Sequence, residues 1–162
     1  ILQPGCGVGG HCIAVDPYFI ISDYPIESKI IRKSREINNY KSSWCFEKIQ
    51  NEKLKFELKH KRKPITAIMG LAFKPNIDDL RESPAISIVK KLFQNSNNEK
   101  HFIVEPNIDF HSDYEITDYK IAIERADIIV FLVSHKEFTD LNINDDKLVL
   151  DFCGINKNAE KF

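Results

Sequence analysis

The chain has 162 residues, 43% of them hydrophobic and 29% charged, which is the composition of a globular protein with one domain and an attached element. Lys and Arg total 23 against 24 Asp and Glu, so there is no basic excess to point to nucleic acid and no acidic tail. No run of about 18 apolar residues occurs, so no membrane-spanning helix and no membrane partner are expected. The four cysteines, Cys6, Cys12, Cys45 and Cys153, are scattered without a CxxC pair. They predict a reduced, cytoplasmic protein with neither zinc nor another metal.

Residues 1–16 form a Gly-rich loop, Pro4-Gly5-Cys6-Gly7-Val8-Gly9-Gly10-His11-Cys12, which cannot pack a core alone. From residue 26 to about 58 the spacing predicts a long helix. Pro25 suits its first turn, and Ser22 or Asp23 is a candidate cap. Ile26, Ile30, Ile37, Trp44 and Ile49, with Ile31, Tyr40 and Cys45 beside them, make one apolar stripe. Its length leaves two readings open, contact with a second copy and packing within the chain. The Lys-rich stretch Lys53–Lys63 reads as a solvated helix end and linker.

From Pro64 the pattern becomes strand and helix in alternation. Ile65–Met69 is a buried strand ending at Gly70. Ser83-Pro84 supplies a cap and a first-turn proline for a helix carrying Ile86, Val89, Leu92 and Phe93. His101–Glu105 is a second strand, Tyr119–Arg125 a short helix, Asp127–Ser134 a third strand and Lys147–Phe152 a fourth. Continuous apolar strands between helices predict an α/β fold, a Rossmann-like parallel sheet covered on both faces and preceded by the long helix. Ligands of such sheets sit at the C-terminal ends of the strands, which directs attention to the loop after Gly70.

Two constellations could carry chemistry. In Gly9-Gly10-His11-Cys12, paired glycines permit close backbone approach to a ligand. A thiol just before a helix favours its thiolate, the form that attacks a carbonyl. Asp16, four residues on, would lie one turn away if the segment is helical. The plainer reading of Cys12 is a small buried hydrophobe. Gly5 to Gly10 also matches GxGxxG formally, but without a strand before it this is expected to be no dinucleotide fingerprint. In the second constellation, Gly70 to Ala85, Phe73 offers a face to a flat base and Lys74 a point charge to phosphate. Arg81 stands just before a helix N-terminus, where anions bind. The competing reading is a solvated loop with Arg81 paired to Asp78 or Asp79.

The stretch PGCGVGGHCIAVDPYFI together with GLAFKPNIDDLRESPA resembles the UDP-glucose/GDP-mannose dehydrogenase family, in order and across a long helix, over essentially the whole chain. The resemblance implies oxidation of the C6 alcohol of a nucleotide sugar to a carboxylate by two NAD⁺ and one water. UDP-N-acetyl-D-mannosamine is the expected substrate, with UDP-glucose or UDP-N-acetylglucosamine as alternatives. It implies that residues 1–63 are the active-site loop and part of a central dimerisation region. Residues 64–162 would be a C-terminal UDP-binding domain, and an NAD-binding domain would lie outside this chain, leaving it inactive by itself. By position, Cys12 matches the catalytic thiol, which forms a thiohemiacetal and then a thioester, and Asp16 the acid beside the hydrolytic water. Gln3, Gly5, Gly7 and Gly9 match the loop that wraps the substrate, Phe73 and Lys74 uridine- and sugar-contacting positions, and Arg81 a residue reaching the NAD pyrophosphate. The expected partners are a UDP-sugar and a second copy of the chain, joined through the long helix.

Three departures stand out. Gln3 replaces a Lys and His11 a Ser of the UDP-glucose branch, the latter fitting the N-acetylhexosamine branch. Asp151-Phe152-Cys153-Gly154 replaces an Asp-Gly-Arg run that carries a substrate-binding Arg, so Cys153 is expected to be a core residue. A UDP-sugar-binding module without chemistry and an oligomerisation element are the competing functions.

Overall fold

The computed structural model describes residues 5–96, 99–155 and the backbone of 160–161. Helix α1 spans Asp16–Asp23, α2 Lys29–His60, α3 Pro84–Gln94 and α4 Tyr119–Arg125. Strands are β1 Thr66–Met69, β2 His101–Val104, β3 Ile128–Phe131, β4 Leu148–Asp151 and β5 Glu160–Lys161. They form one parallel sheet in the order β2-β1-β3-β4-β5. This is a doubly wound sheet whose connections diverge between β1 and β3, and that divergence opens a crevice at their C-terminal ends. The expected α/β fold with its preceding long helix is present.

Alternation along each strand explains the two layers. Ile68, Ile103, Ile128, Val130 and Leu150 face α3 and the second half of α2, where they meet Ile88, Val89, Leu92, Cys45 and Ile49. Ala67, Met69, Phe102, Val104, Ile129 and Phe131 face the other way, onto Ala122 of α4 and Phe138. All four residues of β1 and of β3 are buried, as continuous apolar runs require.

Helix α3 starts where the sequence places it: Ser83 Oγ accepts the Ala85 amide at 3.2 Å and Pro84 fills the first turn. Helix α2 does not. Ser22 and Asp23, the expected caps, lie inside α1, and Pro25 falls in the turn between the helices. The apolar stripe divides: Cys45 and Ile49 are fully buried, whereas Ile26, Ile30, Ile37 and Tyr40 are exposed. The basic stretch also differs from a solvated face. Lys53 is buried in an ion pair with Glu99, and Arg62 makes a bidentate pair with Asp127 at 2.7 and 2.6 Å. Asp127 Oδ2 also accepts the Ile65 amide at 2.8 Å, so the linker is tied to the start of β3.

At the N-terminal edge of the sheet His101 is nearly sealed, and neither ring nitrogen has a hydrogen-bond partner among the described residues. Burial, reinforced by Lys53 and opposed by Glu99, lowers its pKa to about 4. The unfolded chain therefore binds this proton more tightly. The resulting stability is complete above the ordinary histidine pKa and is lost as pH falls from 6.5 through about 4. Between pH 7 and 5 the protein should lose about 2 kcal/mol by urea denaturation, and His101→Phe should remove most of that slope. An unchanged slope in the variant would place the acid sensitivity elsewhere.

Candidate active site

The Gly/Cys loop lies against the segment that follows β1, and close backbone approach makes the contact. A Cβ on Gly9 would stand 2.3 Å from the Glu82 carbonyl oxygen and 2.8 Å from Pro84 Cδ. Gly10, at φ +92°, presses on the Phe73 ring and donates its amide to the Arg81 carbonyl at 3.2 Å. From the other side Asn38 of α2 clips Val8, its Oδ1 accepting the Val8 amide at 2.8 Å and its Nδ2 donating to the Val8 carbonyl at 3.3 Å. Cys6 is buried beneath, its thiol donating to the Leu132 carbonyl at 3.6 Å and sharing a hydrogen bond with Cys45. Helix, loop and sheet thereby hold one another.

Cys12 is exposed on this anchored loop. The Val15 and Asp16 amides donate to its carbonyl at 3.0 and 2.8 Å, closing one helical turn just ahead of α1. Asp16 therefore follows Cys12 by a single turn, the spacing that lets two side chains share a face, and it too is exposed. The other thiols contrast with Cys12. Hydrogen bonding to Cys45, followed by burial, pushes the Cys6 thiol well above its ordinary pKa. Burial and then the Asp151 carboxylate push up half-buried Cys153. Cys153 also packs against the α4-side core, as a core residue should.

The second segment contributes half-buried Phe73 and exposed Lys74. Arg81 is exposed and forked onto Asp79, with Nε 3.0 Å from both carboxylate oxygens and Nη2 2.6 Å from Oδ2. Asp79, held by that guanidinium, falls to a pKa of about 2. Arg81 rises mainly through the same hydrogen bonds, with a smaller electrostatic contribution from nearby Cys12. The thiol, the cation and the aromatic face thus converge on one surface. Of the remaining expected site residues, Gly5 has no atom within 4 Å of an added Cβ among the described residues, and Gly7 sits between Asn38 and Pro84. Gln3 lies outside the described residues. Gly5 to Val15 runs as coil and turn with no helix starting inside the GxGxxG match, unlike a dinucleotide fingerprint.

Beneath the second segment is a group the sequence did not disclose. Glu105, at the end of β2, is 1% exposed, and His135, after β3, is fully buried. Glu105 Oε2 accepts the Leu71 and Ala72 amides at 2.8 and 2.9 Å and lies 3.0 Å from His135 Nε2. Its Oε1 accepts from the Asn107 amide and side chain at 3.1 and 3.0 Å. Burial alone would raise Glu105, but these donors outweigh it and bring the pKa to about 2. Among the described residues no cluster of His, Cys, Asp and Glu is placed to hold a metal ion. No helix there is long and apolar enough to cross a membrane.

Residues 67–158 match the family model of the UDP-glucose/GDP-mannose dehydrogenase UDP-binding domain, and residues 1–40 match that family's central domain. The chain belongs to the UDP-glucose/GDP-mannose dehydrogenase family. It is 46% identical to a UDP-N-acetyl-D-mannosamine dehydrogenase of Campylobacter jejuni, over 94% of this chain and 37% of that protein. It is 40% identical to an NDP-N-acetyl-D-galactosaminuronic acid dehydrogenase of Ralstonia nicotianae, over 96% and 37%. The solved UDP-D-ManNAc dehydrogenase of Pyrococcus horikoshii superposes with a TM-score of 0.77 at 29% identity, over 98% of this chain and 38% of that one. The chain thus spans roughly two-fifths of the length of the relatives it matches.

Proposed function

We propose that this chain supplies the nucleophile and the UDP-binding half of an NAD-dependent 6-dehydrogenase acting on UDP-N-acetyl-D-mannosamine. The observation that carries the proposal is an exposed thiol, Cys12, on a glycine loop docked against Phe73, Arg81 and Pro84. Similarity to dehydrogenases of amino-sugar nucleotides supports it.

In this reading residues 1–63 belong to the central dimerisation region and residues 64–162 to the UDP-binding domain. Phe73 stacks on the uracil, Lys74 meets the diphosphate, and Gln3, Gly5, Gly7 and Gly9 line the sugar's path. Loss of one C6 hydrogen as hydride and of the hydroxyl proton turns the C6 alcohol into an aldehyde, to which Cys12 adds as a thiohemiacetal. Loss of the C6 hydrogen as hydride gives a thioester, and a water oriented by Asp16 releases the carboxylate and regenerates the thiol. Bound NAD⁺ supplies the acceptor for both hydrides.

The residues present fit that cofactor at the surface and not in the sheet crevice. The Leu71 and Ala72 amides, where a pyrophosphate would sit in a dinucleotide domain, already serve Glu105, whereas the Arg81 guanidinium is exposed and would meet a phosphate by sharing or leaving its fork on Asp79. Ile26, Ile30, Ile37 and Tyr40 offer an apolar face to a second copy. The enzyme works in the cytoplasm, and this chain by itself does not turn over.

The test is a product assay on the full-length protein with NAD⁺ and, in parallel, UDP-N-acetyl-D-mannosamine, UDP-N-acetylglucosamine and UDP-glucose. The expected result is two NADH per uronate, fastest with the first. A faster rate with another sugar would reassign the substrate. UDP binding with no NADH from any of them would leave a binding module.

A further inference from the structure

We propose that His135 and Glu105 are positioning residues for the nucleotide: from beneath the sheet's C-terminal edge they set the conformation of the Phe73–Asn76 turn without touching the ligand. The proposal rests on the reading above, in which Phe73 and Lys74 face the UDP moiety.

The hydrogen bonds of the turn are directed inward. Glu105 takes the amides of Leu71 and Ala72, and the Asp79 carbonyl takes that of Phe73 at 3.1 Å. The Asn76 amide donates to His135 Nδ1 at 3.0 Å. A backbone N–H must meet an acceptor, so Nδ1 is unprotonated and the ring proton sits on Nε2, from which it donates to Glu105. Asn107 Nδ2 also reaches Nδ1, at 3.0 Å. Asn76 is in the left-handed region at φ +61°, and its Oδ1 accepts the Lys136 amide at 2.8 Å, giving the turn a second clip to the chain after β3. Pro75 has no amide. The Lys74 amide is therefore the one in the turn without a partner among the described residues, and it sits beside the exposed Lys74 side chain.

Two consequences follow. Glu105 puts its own carboxylate where a phosphate would enter a doubly wound crevice, so the diphosphate is displaced outward to Lys74. Both side chains that meet the nucleotide also take their direction from a turn whose shape is fixed by buried hydrogen bonds. Sites built this way lose affinity when the supporting shell loosens, even with every ligand-contacting group intact.

The test uses the full-length protein and four variants. His135→Ala removes both bonds of the ring. His135→Asn offers an acceptor near the place of Nδ1 and gives up the donor to Glu105. Asn76→Gly keeps the turn's conformation and drops only the clip to Lys136. Lys74→Ala tests the underlying reading. The measurements are UDP affinity by calorimetry, KM against kcat for the sugar nucleotide, the melting temperature and the rate of Cys12 alkylation. His135→Ala should weaken UDP and raise KM about tenfold, with kcat and Cys12 alkylation within about twofold of the parent. His135→Asn should recover part of the loss. Asn76→Gly, which leaves the buried network intact, should weaken UDP about threefold and remains informative if His135→Ala does not fold. A lower melting temperature with UDP affinity and KM unchanged, in the His135 variants or in Asn76→Gly, would overturn the proposal. If Lys74→Ala weakens UDP while those variants do not, the positioning role fails and the nucleotide site stands. If Lys74→Ala leaves UDP affinity unchanged, the site itself has been misplaced.

Discussion

Replacing Cys12 with alanine in the full-length protein is expected to reduce uronate formation by at least about a thousandfold while UDP affinity stays within about twofold. The size of the effect follows from there being no substitute for this sulfur among the four thiols of this chain. Of the four thiols, Cys12 alone is exposed; Cys6 and Cys45 are buried and Cys153 is half-buried. Cys6 and Cys153 are also held in the thiol form by their surroundings, Cys6 by its bond to Cys45 and Cys153 by burial. Affinity is spared because Cys12 takes no part in docking the loop. That task falls to Gly9 against Glu82, Gly10 on Phe73, and Val8 in the grip of Asn38. Mass spectrometry after brief iodoacetamide treatment at neutral pH should find Cys12 alkylated, and Cys6, Cys45 and Cys153 unmodified. Uronate produced at the parental rate by Cys12→Ala would remove the thioester route, whatever the affinity.

Parts of this arrangement could be read from the chain because they depend on neighbours in sequence. The β1 and β3 strands announce themselves as short apolar runs, since a parallel strand is buried on both faces. Ser83-Pro84 marks the start of α3 because a cap needs only the residues beside it. The one-turn spacing of Cys12 and Asp16 can be read from the sequence, and the roles proposed for them come from the family resemblance. Helix α1 was hidden: Asp16-Pro17 opens it, but its residues are apolar around most of the circumference and only Ile21 is buried, so no periodicity separates it from a loop. The start of α2 was misplaced for the same reason, because Ser22 and Asp23, the last residues of one helix, served as false caps of the next. Asn38 and Asn39 could have been flagged as poor helix formers in mid-helix, though nothing local says that Asn38 clips Val8, 30 residues away. Glu105 was legible only as the last residue of a strand. Its partners Leu71, Ala72 and His135 lie about 30 residues to either side, and only the sheet order β2-β1-β3 brings them together.

Gly9→Ala should be the most damaging single-methyl change in the loop, and the reason is which atom stands in the way. The added Cβ would meet the Glu82 carbonyl at 2.3 Å, Pro84 Cδ at 2.8 Å and Phe73 Cβ at 3.0 Å. None of these is the end of a flexible side chain. Glu82 is itself in the left-handed region at φ +50°, uncommon for a residue with a side chain, and it immediately precedes the Ser83 cap of α3. Moving its carbonyl would disturb the cap, whose Oγ also donates to the Leu71 carbonyl at 2.6 Å, while moving Pro84 would shift the first turn of the helix. The loop must instead lift from its seat, carrying Cys12 away from Arg81 and freeing the Gly10 amide from the Arg81 carbonyl. Overpacking against backbone should cost about 3 kcal/mol, the upper part of the usual range, and turnover should fall by at least about a hundredfold, since a displacement near 1 Å is enough to spoil a reacting geometry. Gly5→Ala is the control for stability: a Cβ there meets no atom within 4 Å among the described residues, and the variant should keep parental stability. Thermal melts and kcat of the two variants together check the argument, because equal behaviour of Gly5→Ala and Gly9→Ala would show that the loop is not seated on Glu82 in the working protein.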